Sequence, residues 1–151
     1  MTEVLVNQKS QYALRAVFEL AKRYGLGPAR IGDIARRQAI PSRFLQAILH
    51  QLKRAGVVDS RRGTGGGYLL TREPGSLTVG EVLSLVQGPM VPVPCMVKGG
   101  DACAVYDDCV FLPMWRDIGD AIEAVLGKTT FQDLLDIEKA RAKNYIPEYA
   151  I

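Results

Sequence analysis

The spacing of apolar and polar positions changes along the chain, and each change marks an element. From Val4 to Tyr24, Ala13, Val17, Leu20, Ala21 and Tyr24 fall on one helical face with Tyr12 and Ala16 beside it, which predicts a first helix. Gly25-Leu26-Gly27-Pro28 ends it, because Pro28 keeps Gly27 out of the helical region. Ile31 to Gln38 predicts a short second helix, with Ile31, Ile34 and Ala35 on one face. Pro41 to Gly56 predicts a longer third. Phe44, Leu45, Ile48, Leu49 and Leu52 make its buried face, while Arg43, Gln46, His50 and Lys53 or Arg54 make a polar face without an acid. Pro41 suits the first turn, where its missing N–H has no partner anyway, and Gly56 suits the stop.

The period then shortens. Val57 to Ser60 opens on two β-branched residues, Arg61 to Gly67 is a glycine turn, and Tyr68 to Leu70 is a second short apolar run, so the stretch predicts a hairpin with two arginines at its base. A short helix, a tight turn, a basic helix and a hairpin together predict a winged helix-turn-helix. In that arrangement the third helix enters the DNA major groove and the hairpin meets the flanking backbone or minor groove. The candidate DNA contacts are Ser42, Arg43, Gln46 and His50 on the helix, with Arg61, Arg62, Gly65 and Gly66 on the wing.

Thr71 to Gly75 is a polar exit. Thr78, with Glu81 three residues later, forms a capping box for a helix running to Val86. Gly88 to Pro94 holds three prolines and cannot be regular helix. Cys95 to Cys109 reads as a loop. Met114 to Leu126 predicts a helix with Trp115, Ile118, Ile122, Val125 and Leu126 on its apolar face, which serves either as core or as the seam of a symmetric dimer. Thr129 or Thr130 should cap a short helix from Phe131 to Ile137, and the charged residues from Lys139 onward should be loosely held. The expected organisation is a DNA-binding unit over 1–75, a cysteine loop with a dimerisation helix over 76–137, and a tail over 138–151. The fold class is mostly α with a small β-hairpin.

Charge sharpens this picture. The net charge of +3 hides a segregation. Residues 1–75 carry thirteen Lys and Arg against five Asp and Glu, and residues 76–151 carry six against eleven. A basic front half suits a polyanion, and a merely solvated surface would not separate the signs. No apolar run approaches the ~18 residues of a membrane span. The N-terminal stretch MTEVLVNQKSQ lacks the layout of a signal peptide, so a cytoplasmic location is expected, with no membrane partner.

All three cysteines fall within fifteen residues, as Cys95-x7-Cys103-x5-Cys109. In a cytoplasmic protein this clustering favours metal or redox chemistry over a structural disulfide. The paired C-x2-C of a zinc knuckle is absent. Thiolates suit soft metals and iron–sulfur clusters, and three of them leave one position to another ligand.

IGDIARRQAIPSRFLQAILHQLKRAGVVDSRRGTGGGYLL, then LTVGEVLSLV, then three cysteines before an MWRDI helix, resembles the iron–sulfur regulators of the Rrf-two family over roughly residues 9 to 137. The resemblance implies a homodimeric winged-helix transcription regulator, usually a repressor, acting on a double-stranded DNA operator. It further implies an iron–sulfur cluster, 2Fe–2S in preference to 4Fe–4S, bound by Cys95, Cys103 and Cys109 and tuning DNA affinity. Two departures bear on the fourth ligand. Members acting in cluster biogenesis carry a histidine where this chain has Leu112, and nitric-oxide-responsive members carry an aspartate where it has Gln11. Gln11, Asp107 and Asp108 are the candidates for that position, with Asp101 nearby. His50, the single histidine, belongs to the DNA-reading helix.

Alternatives from other classes are a thiol–disulfide or zinc-dependent winged-helix regulator, an electron-transfer protein, and a winged helix used for protein contacts. No catalytic dyad is evident, and Gly65 to Gly67 lacks the Lys-Ser/Thr of a phosphate-binding loop, so no enzyme is expected.

Overall fold

The computed structural model describes residues 4–144. Its elements are α1 (Gln8–Lys22), α2 (Ile31–Gln38), α3 (Ser42–Arg54), β1 (Val58–Arg61), β2 (Gly67–Leu70), α4 (Val79–Gln87), α5 (Cys95–Lys98), α6 (Leu112–Leu126) and α7 (Phe131–Asn144). The chain is mostly helical and carries a two-stranded antiparallel hairpin, as the spacing predicts. Among the described residues no helix is long and apolar enough to cross a membrane.

The core is built on α1. Ala13, Ala16, Val17 and Leu20 are essentially fully buried, and three of the helix's buried positions are alanine, so neighbouring helices approach closely. Ile34 of α2, the stripe Leu45, Ile48, Leu49 and Leu52 of α3, and Val82 and Leu83 of α4 close on it. Leu77 and Phe131, both fully buried, join the same cluster from the start of α4 and α7. Their backbones are tied where Phe131 N–H donates to Leu77 O at 3.0 Å and Val79 N–H to Thr129 O at 2.8 Å.

Helix boundaries follow their caps. α1 begins at Gln8 rather than Val4, because the Asn7 side chain accepts from Ser10 N–H at 2.8 Å. Residues ahead of it are held instead by Gln87, whose amide donates to Leu5 O at 2.8 Å and accepts from Asn7 N–H at 3.2 Å. The capping box at Thr78 is present in full, with Thr78 Oγ1 accepting from Glu81 N–H at 3.1 Å and Glu81 Oε2 accepting from Thr78 N–H at 2.8 Å. Thr130, and not Thr129, caps α7, in a reciprocal pair with Asp133.

α7 runs to Asn144, past the Ile137 end that the pattern predicts, so 139–144 is helix rather than loose tail. Strong helix formers fill that stretch, and Glu138 pairs with Lys22 of α1 at 2.8 Å. Residues 145–151 of the expected tail lie outside the described residues. α6 begins at Leu112, two residues early, because Pro113 fits a first turn. α3 begins at Ser42, with Pro41 just outside it as N-cap.

Two features of the turns carry the helix-turn-helix. Ala39 takes a left-handed conformation (φ 52°) between α2 and α3, held by the burial of Ile40 beside it. Ala29 bridges Tyr68 through a reciprocal pair of 2.8 Å hydrogen bonds, which adds a third backbone segment to the hairpin. A Cβ on Gly67 would lie 2.2 Å from Ala29 O, so the close approach needs glycine.

Among the described residues Glu19 is the one buried acid. It accepts from Gln38 Nε2 at 2.7 Å and Arg37 Nη1 at 3.1 Å and stands 3.7 Å from Lys22 Nζ. Burial alone would raise its pKa, but these hydrogen bonds and charges outweigh it and hold the carboxyl below its ordinary value. A lowered folded-state pKa stabilises the fold above the unfolded value and loses that effect as pH falls through the folded one. Glu19→Gln should therefore lower stability near neutral pH by ~1–3 kcal/mol, since Arg37 and Lys22 lose their anionic partner. Denaturation curves from pH 7 down to 3 should show the gap between wild type and variant closing as acid is added. A gap that stays constant with pH would refute the assignment.

Candidate nucleic-acid interface and cysteine loop

The buried stripe of α3 fixes which residues it presents. With Leu45, Ile48, Leu49 and Leu52 inward, Ser42, Arg43, Gln46 and His50 are all exposed, and Arg43, Gln46 and His50 follow one another about a turn apart. Lys53 and Arg54 continue this side, and Lys53 Nζ donates to Ser60 Oγ of β1, which ties the end of α3 to the wing.

Phe44 departs from its expected burial and is 43% exposed. It lies at the edge of the buried stripe, where its ring meets Tyr12 at 6.2 Å and is covered by the Arg43 guanidinium 4.8 Å from its centroid. Arg15 lies over Tyr12 in the same way, at 4.9 Å. Two adjoining rings, each covered by an arginine, thus span the seam between α1 and α3, a stack the periodicity alone does not disclose.

In the wing, Arg61 ends β1 and pairs with Gly67, and Arg62 begins the turn. Both are exposed, as is Gly65, while Gly66 is half-buried. Gly66 N–H donates to Gly63 O at 3.0 Å, and a Cβ on Gly66 would fall 2.3 Å from Arg61 O. The turn is thus closed by backbone and leaves its arginines outward. Among the described residues, Arg30, Arg43, Arg54, Arg61 and Arg62 form no ion pair. Helix and hairpin candidates are brought onto joined elements, and Arg30 and Arg36, which sequence reasoning did not single out, border the same wing.

The cysteine segment is a succession of tight turns rather than an open loop. Cys95 starts α5, Cys103 N–H donates to Gly100 O, Tyr106 N–H to Cys103 O, Cys109 N–H to Tyr106 O and Leu112 N–H to Cys109 O, all at 3.2–3.4 Å. Cys103, Tyr106, Cys109, Leu112 and Trp115 are all half-buried, whereas Asp101, Asp107 and Asp108 are exposed. The segment rests on α6, since a Cβ on Gly119 would lie 3.4 Å from Met96 Cε and 3.9 Å from Pro92 Cδ.

All three thiols are free and half-buried. Among the described residues no three His, Cys, Asp or Glu side chains converge closely enough to hold a metal ion. The donor set suits a thiolate-seeking group in kind, and holding one would draw the turns together. Gln11 lies on α1 and not in this loop, and its Nε2 donates to Val6 O at 3.1 Å. His50 sits on the exposed side of α3, not in this loop.

α6 divides the apolar face that the sequence predicts. Trp115, Gly119, Ile122 and Leu126 are half-buried against the chain's own loop and α4 side. Met114, Ile118 and Val125 are exposed, and with Phe111 and Ala121 they follow a spacing of three, four, three and four. That is the repeat of a two-helix seam.

Comparison with known proteins agrees with this architecture. The IscR transcriptional regulator of Enterobacter sp. (strain 638) is 36% identical over 131 residues, covering 87% of this chain and 79% of that protein. The structure is similar to CymR, the global cysteine regulator of B. subtilis, with 32% identity and a TM-score of 0.75 over 91% of this chain and 98% of that one. It is also similar to T. potens IscR, with 30% identity and a TM-score of 0.71 over 95% and 93% of the two chains. These relatives are regulators and not enzymes. A family model described as an iron-dependent transcriptional regulator matches residues 6–137, and the chain therefore belongs to the Rrf2 family of transcriptional regulators.

Proposed function

We propose that this regulator binds a DNA operator as a homodimer and that an iron–sulfur group on Cys95, Cys103 and Cys109 sets its affinity, most simply as a cytoplasmic repressor. The observation that carries the reading is the pairing of an arginine-bearing α3 and wing with a segment that holds three free, half-buried thiols within fifteen residues. Arg43 and Gln46 reach base edges, Ser42 and His50 lie beside them, and Arg61 and Arg62 meet phosphate or minor groove, with Gly65 and Gly66 allowing the backbone close. The exposed seam of α6 pairs with its mate and spaces two α3 helices about one DNA turn apart, ~34–36 Å.

The group itself supplies a redox- and ligand-sensitive centre, 2Fe–2S in preference to 4Fe–4S. The chain supplies three thiolates and a fourth position without a thiol, for which Gln11, Asp107 and Asp108 are the candidates. Because the thiols sit on turns that run directly into α6, gathering or releasing them shifts the helix that holds the two winged helices. The coupling has to appear as a free-energy difference between states, typically ~1–3 kcal/mol.

A second reading is favoured by the likeness to a protein named as a cysteine regulator. In it the three thiols act without iron, through a disulfide or zinc.

Three outcomes test these readings. Anaerobic reconstitution should give a coloured protein, and each Cys→Ala variant should lose colour. A colourless protein whose DNA affinity changes on thiol oxidation supports the second reading, and equal affinity in all forms leaves the cysteines structural. Arg43→Ala should cost ~1–3 kcal/mol of discrimination between selected and altered operator sequences in a binding titration. Ile118→Asp, which puts a charge in the seam, should yield monomers by sedimentation; a wild-type monomer at micromolar concentration would remove the dimer.

A further inference from the structure

Arginines ring the base of the wing beyond those the hairpin itself carries. One cleft, between the start of α2 and the hairpin, is bordered by Arg30, Arg36, Arg61, Gly63 and Gly66. A second recess shares Arg30 and Gly66 with it and reaches Arg23 and Gly65. The one acid in either lining is Asp33, and its carboxylate already takes Arg36 Nη2 at 2.9 Å. Arg36 and Asp33 cancel, so the positive charge of Arg23, Arg30 and Arg61 stands unbalanced.

Two further observations point to an anion. Arg23 Nε is buried and has no hydrogen-bond partner among the described residues, although buried donors are almost always paired. Gly63 and Gly65 have nothing within 4 Å of where a side chain would start, so the wall opposite the arginines is open backbone. Guanidinium groups match the oxygens of a phosphate by paired hydrogen bonds. The cations are spread over two joined recesses around the wing tip, an extended array that suits a chain of phosphates better than a single small anion.

We propose that this cleft seats the DNA sugar–phosphate backbone beside the wing, with Arg30 and Arg23 as phosphate ligands additional to Arg61. The inference rests on the DNA-binding reading above and adds to it a second track of contact, contributed by the α1–α2 connection. That connection is also the segment whose Ala29 bridges Tyr68, so the track and the wing move as one. Contacts of this class carry no base information; they add affinity to every sequence and increase its dependence on salt.

The test uses full-length protein and a duplex that it selects from a random pool, beside a scrambled duplex of the same length. Arg30→Ala should weaken binding to both duplexes by a similar factor, about eightfold at 0.1 M salt and about twofold at 0.5 M, with the salt slope reduced by about 0.9. Arg23→Gln combined with Arg30→Ala should lower the slope again, Arg30→Lys should restore most of the affinity, and Lys128→Ala should change nothing. Thermal unfolding of each variant separates lost contacts from lost folding.

Wild-type affinity and slope in Arg30→Ala and in the double variant, while Arg43→Ala weakens binding, would overturn the cleft and leave the DNA-binding reading intact. Loss confined to the selected duplex would also overturn it, because that is the behaviour of a base contact. If the protein selects no duplex, and Arg43→Ala, Arg61→Ala and Arg62→Ala bind the scrambled one as wild type does, the DNA-binding reading falls and this inference with it.

Discussion

The buried face of α1 is the support on which α2, α3, α4 and α7 are hung. Its alanines let α2, α3 and α4 approach closely, and α7 packs along its outer side through Leu14, Phe18 and Leu134. α3, which carries the candidate DNA contacts, and α4, which leads into the cysteine segment, therefore share one support. Glu19 belongs to the same device. Placed on α1, it pairs with Arg37 and accepts a hydrogen bond from Gln38 at the end of α2, and so ties α2 to α1 in one orientation. A buried acid satisfied in this way specifies an arrangement because the charge stays favourable in one geometry only.

The front half was legible because its elements are amphipathic and end in punctuation. α3 shows its buried stripe in Leu45, Ile48, Leu49 and Leu52, and the wing shows its turn in Gly63 to Gly67. The capping box of Thr78 and Glu81 is a local code that needs no tertiary knowledge. Where the reading fell short, the deciding partner is distant in sequence. Phe44 looks like core until Tyr12 and Arg43 are known to lie against it. Ala39 does not announce a left-handed turn, because the strain is sustained by the burial of Ile40. Glu138, where α7 passes its expected end, is paired with Lys22, more than a hundred residues away.

The cysteines divide in the same manner. Their identity and clustering could be read directly, and the thiol chemistry follows from that. Their half-buried placement in successive turns could not be, because Gly100, Asp101 and the two acids Asp107 and Asp108 carry no periodic signal of their own. The arginine-lined recess was hidden for a related reason: Arg23 and Arg30 stand at the two ends of the α1–α2 connection, and they meet Arg61 of β1 only once that connection lies against the hairpin. Segregated charge in the sequence indicated a basic surface, and folding concentrates it around the wing.

The turns between Gly100 and Leu112 are linked end to end: Cys103, Tyr106 and Cys109 each donate an N–H into one turn and accept with their carbonyl from the next. Inserting or deleting a single residue between the two cysteines would break one of these links with no change in composition. The segment is thus a chain of coupled turns, and a change of length in one of them is passed to its neighbours and on to the start of α6.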